Sequence, residues 1–150
     1  GWDCATEIDP LPGFERSPFE LGLGWLVDLG GCNFFGRDAL LQEKNKGGRY
    51  VKRCFIADGW SIPNEGAEVW GEVQGETVVI GSVNCSSWSW GLGATIGNAS
   101  IFRQHMNLET GQLKLQEMVV GLQLKKGPLI NLKRHRQVPA PIPEDFIETN

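Results

Sequence analysis

The sequence lacks the long apolar segments that membrane insertion and secretion require. It has no run of about 18 apolar residues, the minimum for a transmembrane helix. No basic segment followed by an apolar stretch resembles a secretory signal. From these absences we expect a cytoplasmic protein that does not engage a membrane.

The sequence also has little excess charge. Its net charge is −4, without the basic balance typical of nucleic-acid-binding domains. We therefore expect no nucleic-acid partner, although a few local cations would suffice to hold an anionic ligand. The only histidines are His105 and His135, and no pattern of Asp, Ser or Cys frames either as a catalytic triad.

The cysteines are too far apart for a Cys-x-x-Cys metal or redox motif. They are Cys4, Cys32, Cys54 and Cys85. We expect four reduced thiols, mostly buried, rather than two disulfides. Asp28, Asp38 and Asp58 have no suitably spaced partner ligands, so no metal site is predicted.

Glycine is abundant, with 20 residues, and it separates short apolar runs. The apolar run 23–29 favours a buried strand that ends at Gly30 and Gly31. A helix is predicted over Gly36–Lys44, stopped by the glycines at 47 and 48.

Beyond the helix the pattern becomes one of strands. The predicted strands are Tyr50–Ala57, Glu68–Glu72, Thr77–Asn84, Leu92–Phe102, Lys114–Leu124 and Leu129–Lys133. The fold class predicted is mainly β, with an N-terminal arm and one short helix followed by a six-stranded Greek-key-like β-barrel. Prolines at 139, 141 and 143 predict an extended tail.

Two blocks near the start of the chain resemble the aminomethyltransferase family, whose founding member is the glycine cleavage T-protein. Ser17–Trp25, SPFELGLGW, resembles the family's TPxEAGLGW block. Asn33–Leu40, NFFGRDAL, resembles the element that follows it in the family. Weaker matches continue to about Phe102, and the stretch Ser86–Gly91 departs from the family by placing Trp88-Ser89-Trp90 where a serine–proline pair is usual.

The resemblance implies the C-terminal portion of a three-lobed protein that binds tetrahydrofolate in a central hole. Such proteins transfer a one-carbon unit to the folate, and their catalytic aspartate lies in an N-terminal half that this chain lacks. Residues 1–47 would be the remnant of the folate-binding lobe with its linking helix, and residues 48–150 the family's C-terminal barrel. We expect no catalytic residue in the chain and no activity from it alone.

The resemblance also assigns cofactor-binding residues. Glu20 matches the glutamate that holds the pterin ring, where a carboxylate accepts hydrogen bonds from an amino-pyrimidine edge. Arg49 matches an arginine near the folate, and Trp25 is a candidate for stacking on the ligand. The structural alternatives are a solvated or helix-capping carboxylate, a surface arginine at a strand start, and a packing tryptophan.

Two other functions remain open. The chain could be a non-catalytic binding or docking module, joining a separate catalytic half or forming a homodimer through an exposed face. Trp88 and Trp90 share a face if their segment is extended, which would expose a patch for the missing lobe. Within the family, the unusual Ser86–Gly91 stretch suggests a folate-dependent demethylase of a sulfonium or methoxy substrate.

Overall fold

The computed structural model describes residues 15–115 and 118–129, in which one helix precedes six strands. The helix is Arg37–Lys46 (α1). The strands are Tyr50–Ala57 (β1), Glu68–Val73 (β2), Glu76–Ser89 (β3), Ala94–Phe102 (β4), Thr110–Leu115 (β5) and Met118–Lys125 (β6).

The strands close into a barrel in the order β1-β4-β3-β2-β5-β6, and every neighbouring pair is antiparallel. Strands β2, β3 and β4 are consecutive neighbours, and β1 lies on the far side of β4. This is a Greek-key arrangement. The predicted fold class, a mainly β chain with one helix and a six-stranded Greek-key-like barrel, is confirmed.

The sixth strand arises differently from the prediction. The run Lys114–Leu124 was predicted as one strand, but the structure divides it between β5 and β6, which pair with each other from Thr110↔Gln123 to Leu115↔Met118. The single-strand prediction is wrong because closing the barrel needs one strand against β2 and another against β1. Residues 130–133 of the predicted last strand lie outside the described residues, and Leu129 is a bend.

The predicted buried strand at 23–29 is also wrong. Gly24–Leu26 is a turn of 3₁₀ helix without a buried residue. The backbone hydrogen bonds there are local, from Leu26 N–H to the carbonyl of Leu23 and from Val27 N–H to that of Gly24. Within residues 15–115 and 118–129 no strand pairs with this run, and its backbone groups form these local hydrogen bonds instead.

Helix α1 lies where the sequence predicts a helix. It follows Gly36, at φ +88°, and ends at Gly47, at φ +85°, where left-handed backbone suits glycine. None of its residues is buried. The Arg37 guanidinium fixes its start by donating to the Leu29 carbonyl at 2.8 and 3.0 Å.

The core fills the barrel interior with side chains that alternate along the strands. The fully buried members include Phe55, Val69, Ile80, Val83, Ile101 and Leu113. Two glycines permit close strand contact. A Cβ on Gly97 would lie 2.4 Å from both the Cys85 carbonyl oxygen and the Phe55 ring, and one on Gly81 would lie 2.2 Å from the Ser100 carbonyl oxygen.

Candidate functional site

Glu20 is the centre of a hydrogen-bonded junction between the segment before α1 and the start of β1. Its carboxylate is only 3% exposed. Oε1 accepts the backbone N–H groups of Arg49 at 2.7 Å and Tyr50 at 3.2 Å. Oε2 accepts the backbone N–H of Ser17 at 3.2 Å. One side chain therefore satisfies three backbone donors.

Ser17 and Glu20 also form a reciprocal pair. The Glu20 backbone N–H donates to Ser17 Oγ at 3.2 Å, while the Ser17 backbone N–H donates to Glu20 Oε2. The two bonds follow the capping-box pattern, here in the turn at 18–22 rather than at the start of a helix, and the Ser-x-x-Glu spacing is visible in the sequence. The capping role that the sequence left as an alternative for Glu20 is thus present. The hydrogen bonds from Arg49 and Tyr50 are additional to that role.

The environment of Glu20 favours its ionised form. Burial by itself raises the pKa of the carboxyl group. The hydrogen bonds from the backbone of Ser17, the backbone and side chain of Arg49 and the backbone of Tyr50 outweigh burial, and the pKa lies below its ordinary value of 4.5. The Glu20 carboxyl group is therefore ionised at neutral pH.

Arg49 pairs with this carboxylate and still faces solvent. Its Nε lies 3.5 Å from Glu20 Oε1, and its side chain is 65% exposed. Its Nη2 donates to the Glu15 carbonyl at 3.1 Å. The structure therefore brings together Glu20 and Arg49, two of the three cofactor-binding residues that the sequence predicts.

Arg16 is a second cation at this site, and the sequence analysis did not single it out. Its guanidinium carbon lies 3.8 Å from the centroid of the Tyr50 ring, and that of Arg49 lies 5.4 Å from the same ring. Arg16 Nε donates to Ser100 Oγ at 3.1 Å. The sequence feature that could have indicated Arg16 is its position directly before the Ser17–Trp25 block.

Arg16, Glu20 and Arg49 line a shallow pocket of about 380 Å³ beside α1. Glu43 also lines it and accepts a hydrogen bond from the Ser17 hydroxyl. Two arginines and three glutamates, Glu15 among them, line the pocket, so it suits a polar ligand that both donates and accepts hydrogen bonds.

Trp25 lies apart from this pocket. Its side chain is 77% exposed, and it does not line the pocket around Glu20 and Arg49. Within residues 15–115 and 118–129 its indole stacks on no other ring. The structure thus leaves one predicted stacking residue open to a ligand or partner without placing it beside the other two.

A larger cleft of about 650 Å³ runs along the outer face of β1, β4 and β3. Asn98 on β4 lies between two thiols, accepting from Cys54 Sγ at 3.2 Å and donating to Cys85 Sγ at 3.6 Å. Because burial raises the pKa of the Cys54 thiol, despite the nearby Lys52 charge, this thiol is a weak nucleophile.

Cys32, Cys54 and Cys85 are all free thiols, and Cys4 lies outside the described residues. The expectation that the thiols are mostly buried is wrong, because Cys32 is exposed and the other two are half-buried. Cys54 and Cys85 flank Asn98 from opposite strands. Two strand spacings separate their Cα atoms by about 10 Å, beyond the roughly 7 Å limit for a disulfide.

The remaining sequence candidates do not assemble into a further centre. His105 is half-buried beside Gln104, with 3.0 Å between their side-chain nitrogens, and His135 lies outside the described residues. Across residues 15–115 and 118–129, no group of three or more His, Cys, Asp or Glu side chains could hold a metal ion. Over the same residues, no helix has the length and apolar character needed to cross a membrane.

The barrel belongs to a recognisable class. It matches the C-terminal barrel of aminomethyltransferases, as seen in the crystal structure of glycine cleavage system aminomethyltransferase T from Bartonella henselae. The TM-score is 0.61 at 17% identity, over 73% of this chain and 30% of that one. At this identity the likeness is one of fold.

Sequence comparison points to the same family. The chain is 37% identical over 89 residues to an aminomethyltransferase of Caldanaerobacter subterraneus subsp. tengcongensis, covering 59% of this chain and 23% of that protein. It is 41% identical over 64 residues to an aminomethyltransferase of Alkaliphilus oremlandii, covering 40% and 17% respectively. No family model matches the chain.

The resemblance to the aminomethyltransferase family is therefore confirmed in both sequence and fold. The chain spans less than a quarter of the length of the curated relatives it matches.

Proposed function

We propose that this chain is the C-terminal part of a tetrahydrofolate-dependent aminomethyltransferase or methyltransferase, whose folate is held in part by Glu20, Arg49 and Trp25. One observation carries the proposal. The family-like block Ser17–Trp25 supplies the buried, ionised carboxylate of a charged pocket, and that block precedes a barrel of the family's fold.

Glu20 already accepts three backbone hydrogen bonds, which leaves room for one hydrogen bond from a pterin more readily than for two. A carboxylate oxygen has two lone pairs. Oε1 already accepts from Arg49 and Tyr50, whereas Oε2 accepts from Ser17 alone. A pterin N–H would therefore bind at Oε2, and a bidentate contact would require Oε1 to release one backbone donor.

Arg49 would act as the exposed cation of the site. Its guanidinium suits a carboxylate or the face of an aromatic ring, and Arg16 beside it adds a second positive charge. Both guanidinium groups would pair with an anionic tail of the ligand, beside the three glutamates that line the same pocket. Trp25 would stack on the ligand from outside the pocket, its large exposed indole being suited to a flat ring.

The domain division predicted from the sequence is part of the same proposal. Residues 1–47 would be the C-terminal remnant of a folate-binding lobe with its linking helix, and residues 48–150 would form the C-terminal barrel. Tetrahydrofolate accepts the one-carbon unit when it is bound. The residues of this chain would orient it, while the principal acid–base carboxylate would lie in a lobe outside the chain. The chain alone would then bind folate without catalysing transfer.

Calorimetric titration of the chain with tetrahydrofolate tests the site. We expect saturable binding that Arg49→Met weakens about tenfold, since a lost ion pair with the ligand is worth about 1.4 kcal/mol. Arg49→Met leaves the backbone N–H that Glu20 accepts, so folding is preserved. Lys125→Met, at an exposed position on β6, serves as the control. Glu20→Gln should weaken binding as well.

Absence of saturable binding, or unchanged affinity in both Glu20→Gln and Arg49→Met, would overturn this assignment. The folate-dependent demethylase of a sulfonium or methoxy substrate remains an alternative within the family. Assays of the complete protein with lipoyl-bound aminomethyl, sulfonium and aryl-methoxy donors distinguish the two.

A binding or docking module is the second candidate, and the exposed indoles of Trp60 and Trp90 favour it. A docking module would bind a separate catalytic chain or a second copy of itself. Light scattering across a concentration series reports a homodimer. Transfer activity in a reconstituted protein that depends on Glu20 would exclude a purely non-catalytic role.

A further inference from the structure

Three indoles meet at the end of the barrel that carries the β1–β2 and β3–β4 connections, and we call them the tryptophan surface. Trp60 and Trp88 are stacked, with ring centroids 3.8 Å apart and planes at 11°. Trp90 meets both rings edge-on, at 5.8 and 6.3 Å. Trp60 is 67% exposed and Trp90 is 82% exposed. These exposures are unusual for rings this large and apolar.

The barrel holds this surface in a fixed shape. The connection that carries Trp60 is anchored on both sides, because Thr95 Oγ1 donates to the Gly59 carbonyl at 3.2 Å and Ser86 Oγ donates to the Pro63 carbonyl at 2.6 Å. Beyond Trp90 the chain turns back through Gly93, whose N–H donates to the Ser89 carbonyl at 2.8 Å. Exposed aromatic groups held in this way lose little entropy when they are covered.

The surface also contains an unmet hydrogen-bond donor. Trp88 Nε1 is buried and has no hydrogen-bond partner among residues 15–115 and 118–129. An indole nitrogen can only donate, and leaving a buried donor unpaired costs about 1–3 kcal/mol. Because this nitrogen is buried beneath the neighbouring rings, an occupant would contact the exposed faces of Trp60 and Trp90 instead. A proline-rich peptide is suited to flat aromatic faces of this kind.

The sequence of the chain itself supplies such a peptide. Residues 138–143 read Val-Pro-Ala-Pro-Ile-Pro, and prolines at alternating positions favour extended backbone whose carbonyls are free of internal hydrogen bonds. Aromatic-lined surfaces recognise proline-rich segments of this kind. The alternation of proline with apolar residues also suits flat indole faces.

The end of the described chain lies close enough for this contact. Leu129 lines the same cleft as Ser86 and Ser87, the residues immediately before Trp88. Pro139 is ten positions beyond Leu129, and ten extended residues span about 33 Å. A segment tethered at that range has a high effective concentration at the surface.

We propose that the tryptophan surface binds the proline-rich segment 138–143 of its own chain. This contact is independent of folate binding. It would cover the exposed faces of Trp60 and Trp90.

Nuclear Overhauser spectroscopy of the full, isotope-labelled chain tests this directly. We expect contacts between the ring protons of Trp60 or Trp88 and the Hδ protons of Pro139, Pro141 or Pro143. The triple variant Pro139→Ala, Pro141→Ala, Pro143→Ala should lose these contacts and shift the Trp88 indole N–H resonance. That resonance is identified by its loss in Trp88→Phe. The Trp25 indole resonance is the internal control and should not move.

Two results would overturn the proposal. One is the absence of these contacts together with an unchanged Trp88 N–H resonance in the triple variant. The other is a mixture of labelled and unlabelled chains in which the contacts form between chains, which would make a second copy the occupant.

Discussion

The carboxylate of Glu20 accepts the backbone N–H of Arg49 at 2.7 Å, across 29 positions of sequence. The contact fastens the segment before α1 to the start of β1. Arg49 returns the interaction through its guanidinium at 3.5 Å. The residue that most resembles a family pterin ligand is therefore also a structural acceptor, and its substitution should affect stability as well as binding.

Glu20→Gln should destabilise the protein at neutral pH by about 1–3 kcal/mol, because a charged acceptor of several buried donors is lost. The folded-state pKa of Glu20 lies below the ordinary 4.5. The ionised carboxylate therefore stabilises the folded protein at pH values above 4.5. This stabilisation is lost as the pH falls through the folded-state pKa. Urea unfolding of both proteins at neutral and acidic pH should show the difference shrinking in acid.

The control for this measurement is Glu72→Gln, at an exposed position on β2, where we expect a change within about 0.5 kcal/mol. A difference between wild type and Glu20→Gln that does not vary with pH would contradict an ionised, hydrogen-bonded Glu20.

Gly97→Ala should be strongly destabilising. Its new Cβ would lie 2.4 Å from the Cys85 carbonyl oxygen and the Phe55 ring, and backbone on a neighbouring strand cannot move away cheaply. We expect a loss at the upper end of the about 1–3 kcal/mol typical of overpacking. Gly91→Ala is the matched control, since no heavy atom lies within 4 Å of its added Cβ. Equal thermal stability of the two variants would refute this close strand contact.

Alkylation should distinguish the thiols. Cys32 is exposed, whereas burial raises the pKa of Cys54 and its Sγ donates to Asn98. Since the thiolate is the nucleophile, iodoacetamide at neutral pH should modify Cys32 well before Cys54. Peptide mapping by mass spectrometry measures the order, and the urea-unfolded chain, in which burial is removed, provides the reference. Faster labelling of Cys54 than of Cys32 would be inconsistent with this environment.

Ser86→Ala should loosen the tryptophan surface without unfolding the barrel. The Ser86 hydroxyl fixes the Pro63 carbonyl at 2.6 Å, and its loss frees the connection that carries Trp60. The exciton signal that stacked indoles give in circular dichroism should weaken, and Trp60→Phe, which removes the stacked pair and leaves only Trp88 against Trp90, should weaken it further. Ser87→Ala, at an exposed neighbouring position, should leave the signal intact. An unchanged signal in Ser86→Ala would show that this hydrogen bond does not hold the stack.

Local patterns predicted much of the barrel. Tyr50–Ala57 was predicted with the bounds that β1 has, and α1 lies within two residues of its predicted ends because glycines at both ends limit the helix. The run Lys114–Leu124 was misread because alternation along a chain does not show where it reverses. The Ser-x-x-Glu capping box was readable from spacing, whereas Arg16 joined the site through stacking on Tyr50, a contact that no local pattern encodes.

The sequence by itself determined the family resemblance, the mainly β class and the identity of Glu20 and Arg49 as candidates, because these depend on residue types at short spacing. Only the tertiary structure decided what those residues contact. It buried Glu20 against the start of β1, left Trp25 outside the pocket and gathered Trp60, Trp88 and Trp90 at one end of the barrel. Such contacts depend on strand order and closure, which bring together residues that are distant along the chain.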